Sequence, residues 1–182
     1  MNSSYHRGWQ LPLIAFSILV LGTGGAIRPA EAVDDEVECS SIRLQLTGDG
    51  YDTICSADNG ANVSYETLEA NATDGTHFLV VNDARTNFRY IFESRSLRQT
   101  LTDIYSELSV SNWHNGKGEQ GLTTAEFDAD FKTVPSACVG FQKYTTRDQW
   151  GGWRRHVIGF GCSRDGDRAK VYDALKRIKF PQ

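Results

Sequence analysis

Residues 138–162 read CVGFQKYTTRDQWGGWRRHVIGFGC, and their reading decides the fold. Two runs rich in β-branched, aromatic and glycine residues, 139–145 and 155–162, flank Trp150-Gly151-Gly152-Trp153. Gly-Gly between such runs signals a β-hairpin, because the turn needs positive φ angles that glycine adopts without a steric cost. A turn centred near Trp150 and Gly151 sets Cys138 opposite Cys162 at the outer ends. The same register pairs Gly140 with Phe160, Gln142 with Ile158 and Tyr144 with His156 on one face. On the other it pairs Val139 with Gly161, Phe141 with Gly159 and Lys143 with Val157. A slip of one residue would turn the two cysteines to opposite faces, so a Cys138–Cys162 disulfide and this register imply each other.

Upstream, residues 41–47 alternate Ile42, Leu44 and Leu46 with Arg43 and Gln45, the period-2 pattern of a half-buried strand. The turn 47–50, TGDG, leads to a second strand over 51–57. Residues 63–70 and 77–83 form the next hairpin across a turn at 71–75, and 87–92 extend or follow it. Residues 33–38, VDDEVE, read as a frayed acidic lead-in. Over 96–108 the period changes: Leu97, Leu101, Ile104 and Leu108 recur at helical spacing, and Ser96 with Gln99 forms a capping box. Residues 111–121 read as a polar loop and 122–133 as a strand that Pro135 breaks. A second amphipathic helix covers 168–179, with Asp167 as its N-cap and Lys176, Arg177 and Lys179 near the negative end of its dipole. The implied fold is α+β: a mainly antiparallel sheet of about six to seven strands with two helices packed on one face, disulfide-stabilised.

Residues 1–32 read as a signal peptide. Arg7 precedes an apolar run, LPLIAFSILVL at 11–21, and Ala30-Glu31-Ala32 supplies a small-x-small cleavage site. The run is short for a membrane span of roughly 20 residues. Cleavage after Ala32 leaves 33–182 as a single secreted α+β domain of 150 residues, and the loss of Arg7, Arg28 and Glu31 changes the net charge from −4 to −5. An acidic domain of this kind lacks the clustered positive charge that nucleic acid or anionic membranes require, and it contains no further long apolar span. All four cysteines lie in the exported part, and an even count there reads as two disulfides. Local pairing gives Cys39–Cys55 and Cys138–Cys162, the first needing a longer loop or bulge to close. The implied location is exported, periplasmic or extracellular.

Catalytic signatures are lacking. Gly159-Phe160-Gly161 has Arg164 where a dinucleotide fingerprint needs its third glycine, and Gly116-Lys117-Gly118 lacks the spacing of a P-loop. His77, His114 and His156 form no H-x-H or H-E-x-x-H. The Asp-Gly turns at 49–52 and 165–167 are too short for a calcium loop. No metal and no cofactor is therefore expected. His156 is the one nameable general base, but a strand histidine opposite Tyr144 is more often simply packed. Asn62-Val63-Ser64 and Asn71-Ala72-Thr73 match the N-glycosylation pattern, which matters only in a eukaryotic secretory pathway.

One aromatic and basic cluster remains. Arg147, Trp150, Trp153, Arg154 and Arg155 crowd the hairpin turn, and tryptophan and arginine are enriched at binding hot spots. Trp113 and His114 lie in the glycine-rich loop, where Trp113 leans to a structural role. The leading functional expectation is an exported, periplasmic binding or accessory protein that recognises an envelope protein or glycan through this tip. The alternatives are a small hydrolase with a dispersed site at His156 and a mainly structural envelope domain.

Overall fold

A computed structural model describes residues 35–86, 91–106, 108–131, 134–149 and 151–180, without the side chains of residues 131 and 134. The expected leader lies outside the described residues, as do 87–90 and Trp150.

Ten strands and two helices are described: β1 (Asp35–Val37), β2 (Gln45–Leu46), β3 (Tyr51–Asn59), β4 (Val63–Ala72), β5 (His77–Thr86), α1 (Leu97–Ile104), β6 (Ser109–Asn115), β7 (Thr123–Phe131), β8 (Val134–Arg147), β9 (Trp153–Ser163), α2 (Arg168–Arg177) and β10 (Ile178–Lys179). Eight strands form one antiparallel sheet in the order β1-β3-β4-β5-β9-β8-β7-β6, and β10 pairs with β2 in a two-stranded ribbon. The main sheet therefore has eight strands, where six to seven were expected.

The hairpin sits at its centre. β8 and β9 pair in the register deduced from sequence, with Cys138 opposite Cys162, Gln142 opposite Ile158 and Tyr144 opposite His156. Disulfides join Cys138 to Cys162 and Cys39 to Cys55. The two strand glycines make room for neighbours. A Cβ at Gly159 would lie 2.5 Å from Phe141 Cζ, and one at Gly161 would lie 2.7 Å from Val171 Cγ1 of α2.

The helices do not share a face. Leu97 and Leu101 of α1 pack with Phe78, Phe127, Cys138, Ile158, Phe160 and Cys162. Val171, Tyr172 and Leu175 of α2 pack with Leu79, Val81, Val139, Phe141 and Val157. Successive strand residues point to opposite sides, so these two sets cover opposite faces of one sheet. The expectation of both helices on one face is corrected accordingly. β8 and β9, buried on both faces, explain why a single apolar run there carried no information about sides.

Both helices begin where the sequence indicated. The Ser96 hydroxyl accepts from Gln99 N at 3.3 Å, and Asp167 accepts from Ala169 N at 3.0 Å. α1 stops at Ile104, short of the expected 108, yet Leu108 remains buried in the same cluster.

Four local expectations are revised. The acidic lead-in forms the edge strand β1, with Val37 opposite Cys55, and a 3-10 turn over Cys39–Ser41 carries Cys39 back to its partner. Ile42 and Leu44 are buried, but β2 pairs with β10 from the C-terminal end of α2, not with β3. The 111–121 loop begins as strand: β6 runs to Asn115 with a bulge between Ser111 and His114, where Asn112 takes φ 49°. Pro135, expected to break the chain, lies in β8 opposite Asp130, near the strand start where proline is tolerated.

Candidate functional site

The β8–β9 turn closes through hydrogen bonds from Asp148 N to Gly152 O at 2.8 Å and from Gly151 N to Asp148 O at 3.1 Å, with Gly151 at φ 94°. Residues 91–95 cross the same end of the sheet. Phe92 and Trp153 exchange two backbone hydrogen bonds, and Gln142 Nε2 donates to Arg95 O. Ile91 lies directly over Gly152, where an added Cβ would come within 2.5 Å of its Cδ1.

The five expected binding residues divide by environment. Trp153 is half-buried; its ring lies 6.1 Å from Tyr144, and the exposed Arg147 holds its guanidinium 6.0 Å over it. Arg154 does not project freely, since it grips the buried carboxylate of Asp148 through Nε at 2.7 Å and Nη2 at 2.5 Å. Arg155 is buried and donates through Nε to Asp83 Oδ1 at 2.7 Å. Arg85 holds the other oxygen of Asp83 at 2.7 Å. Burial pushes the Asp83 carboxyl up from its ordinary value, and the Arg155 hydrogen bond and charge oppose that push. Arg154 and Arg155 therefore brace the strands beneath the tip, while Arg147 and Trp153 reach its surface. Trp150 falls outside the described residues.

The tip also carries a residue that sequence reasoning missed. Ile91 is 41 % exposed, one of two large exposed hydrophobics among the described residues; the other is Ile54 on β3. No local pattern marks Ile91, because its position depends on a segment returning across the hairpin.

The histidines have settled roles. The His156 ring stacks on Tyr144 with centroids 4.2 Å apart and planes at 5°, and Phe92 lies 5.8 Å away. Its Nε2 is buried with no hydrogen-bond partner, and burial lowers its pKa to about 4. A neutral ring held between aromatics is poorly placed to take a substrate proton. His114 is exposed on β6, with Nδ1 2.9 Å from Asn112 O and Nε2 3.2 Å from Glu126. Glu126 also accepts from Tyr172 at 3.0 Å. Trp113 stacks on Phe127 at 5.2 Å, which makes it structural.

His77, read only for metal binding in the sequence, is the centre of a relay. Thr76 Oγ1 donates to Asp74 at 2.8 Å, so it accepts from His77 Nδ1 at 2.9 Å; Nε2 in turn accepts from the Tyr51 hydroxyl at 3.0 Å. The relay ties β3 and β5 to the turn between β4 and β5. Among the described residues no group of three or more His, Cys, Asp or Glu is placed to hold a metal, and no helix is long and apolar enough to cross a membrane. Comparison with protein families, curated proteins and solved structures gives no match.

Proposed function

We propose that this chain is an exported binding or accessory protein, periplasmic or extracellular, that recognises an envelope protein or glycan through the end of the sheet capped by the β8–β9 turn. The observation that carries this reading is the cluster of Ile91, Trp153 and Arg147 at one tip, with Ile91 exposed and the exposed Arg147 stacked over the Trp153 ring and in no ion pair among the described residues. An apolar side chain, an indole and a guanidinium together are the composition of a binding hot spot. The two disulfides are consistent with an oxidising compartment. The Cys138–Cys162 bond ties the hairpin at its far end, so less freedom remains to be lost when the tip binds.

The test is site-specific photo-crosslinking in the producing cell. A benzophenone side chain at the exposed Gln149 of the tip should give a discrete adduct, and one at Ile54 should not. Equal labelling from both positions, or none from Gln149, would contradict recognition at the tip.

A further inference from the structure

A shallow depression lies at the same end of the sheet as the tip, lined by Gly60, Asn62, Ser64, Arg85 and Thr86. Its place is fixed by the register: Ser64 stands opposite Arg85 between β4 and β5, and Arg85 stands opposite Arg155 of β9. The Thr86 hydroxyl donates to Arg154 O at 3.3 Å, which joins this wall to the base of the tip. On the other side, the turn between β3 and β4 holds Gly60 so closely that a Cβ there would sit 2.7 Å from the Val63 carbonyl oxygen.

The lining is polar and its charge is organised. Arg85 is positioned by two hydrogen bonds to a single oxygen of Asp83, at 3.2 and 2.7 Å, and its Nη1 has no bond among the described residues. On the same face Arg43 pairs with Glu66 at 3.2 Å, and Arg155 shares Asp83. Among the described residues of these pairs, three guanidinium groups thus meet two carboxylates, an excess of one positive charge. The carboxylates are the deeper members of these pairs: the Asp83 side chain is 0 % exposed, against 20 % for Arg85, and Glu66 is 14 % exposed, against 57 % for Arg43. In these pairs the cationic side chains are therefore the more exposed members, although the chain is acidic overall.

We propose that the depression binds a carboxylate, presented by an acidic peptide segment of the partner. A surplus of one positive charge matches a monoanion better than a phosphate dianion. The edge of Arg85 that Asp83 leaves open, Nη1 with the second Nη2 hydrogen, can donate to a carboxylate, and the Ser64 hydroxyl and Asn62 amide stand beside it to complete the contact. A peptide is favoured over an acidic sugar because the neighbouring Trp153 ring already carries the Arg147 guanidinium over its face, which leaves less open π surface for a sugar to stack on. The lining residues are distinct from Ile91, Trp153 and Arg147, so substitutions at Asn62 and Arg85 are read apart from those at the tip.

The experiment follows backbone amide shifts of the isotopically labelled, disulfide-bonded protein. The probes are an acetylated and amidated hexapeptide with two central glutamates, its glutamine counterpart, and trigalacturonate. The glutamate peptide should shift residues 60–64 and 85–86 in a saturable way, and the glutamine peptide should not. Arg85→Gln should weaken binding at least tenfold. Because Arg85 also braces Asp83, Asn62→Asp provides a second variant: it places a like charge on the exposed rim and should weaken the same peptide several-fold with the fold intact. No shifts with the glutamate peptide, equal shifts with the glutamine peptide, or indifference to both substitutions would overturn the site. Tighter binding of trigalacturonate than of the peptide would overturn the peptide assignment.

Discussion

Leu101 and Leu175 are both fully buried, and they lie on opposite sides of the same sheet. Each helix anchors its own cluster, and the strands β8 and β9 separate the two. Leu101→Ala and Leu175→Ala should each cost about 2–5 kcal/mol, the range for a core leucine that leaves a cavity. The double variant should lose the sum within about 0.5 kcal/mol, because side chains that share no partners act independently. Urea unfolding of the three variants checks this. A clear departure from additivity would mean that the two leucines act on one shared core.

The Cys138–Cys162 bond closes a short stretch of chain, with a sequence separation of 24. On the chain-entropy estimate it contributes about 3 kcal/mol by restricting the unfolded state. Replacing both cysteines with serine should lower the melting temperature, and reducing agent should have a smaller further effect on that variant than on the parent. An unchanged melting temperature would remove the disulfide from the stability of the hairpin.

Acid should destabilise the protein through its buried histidines. The pKa of His156 falls to about 4 on folding from an unfolded value of 6.5, and that of His77 is lowered in the same direction, in both cases chiefly by burial. Between those values the unfolded chain binds more protons than the folded one, so stability is full above pH 6.5 and declines as the pH falls toward 4. The loss from His156 approaches about 1.4 kcal/mol per pH unit within that window. His156→Phe keeps a ring against Tyr144 and removes the proton. Urea midpoints at pH 7.5 and 4.5 should differ less in this variant than in the parent, and an identical pH dependence would refute the assignment.

Gly159 allows β9 to lie flush against its neighbours. An added Cβ would fall 2.2 Å from the Val80 carbonyl oxygen and 2.5 Å from Phe141 Cζ. Phe141 could rotate, but the backbone of β5 cannot yield without breaking the ladder. Gly159→Ala should therefore cost about 3 kcal/mol, the upper part of the overpacking range. Gly118→Ala offers a contrast, since nothing lies within 4 Å of the added atom and its only burden is a positive φ of 70°. Chemical denaturation of the two variants distinguishes crowding from backbone preference.

The hairpin was legible in the sequence because two cysteines and two glycines fixed one register. The helices were legible because their caps and apolar spacing are local. Their sides were not: β8 and β9 are apolar on both faces, so the strands themselves give no sign of which helix covers which face. β6 was hidden by its bulge at Asn112, which spaces its two half-buried residues, Val110 and Trp113, three apart and erases the alternation. β1 was hidden by its charge, which is what an edge strand uses to discourage further pairing. At the tip, sequence named the right turn but could not show that Asp148 and Asp83 engage Arg154 and Arg155. Nor could it show that Ile91 returns over Gly152, since that contact joins residues far apart in the chain.

Recognition at the tip is tested most directly by Trp150→Ala combined with Trp153→Ala. Two quantities are read from the same preparation: the melting temperature and the yield of the adduct formed from a crosslinker at Gln149. Arg147, Trp153 and Ile91 sit beyond the two buried clusters, so the variant should melt within a few degrees of the parent and lose the adduct. Unfolding of the variant, or an adduct retained at full yield, would contradict this account and return the aromatic turn to a purely structural role.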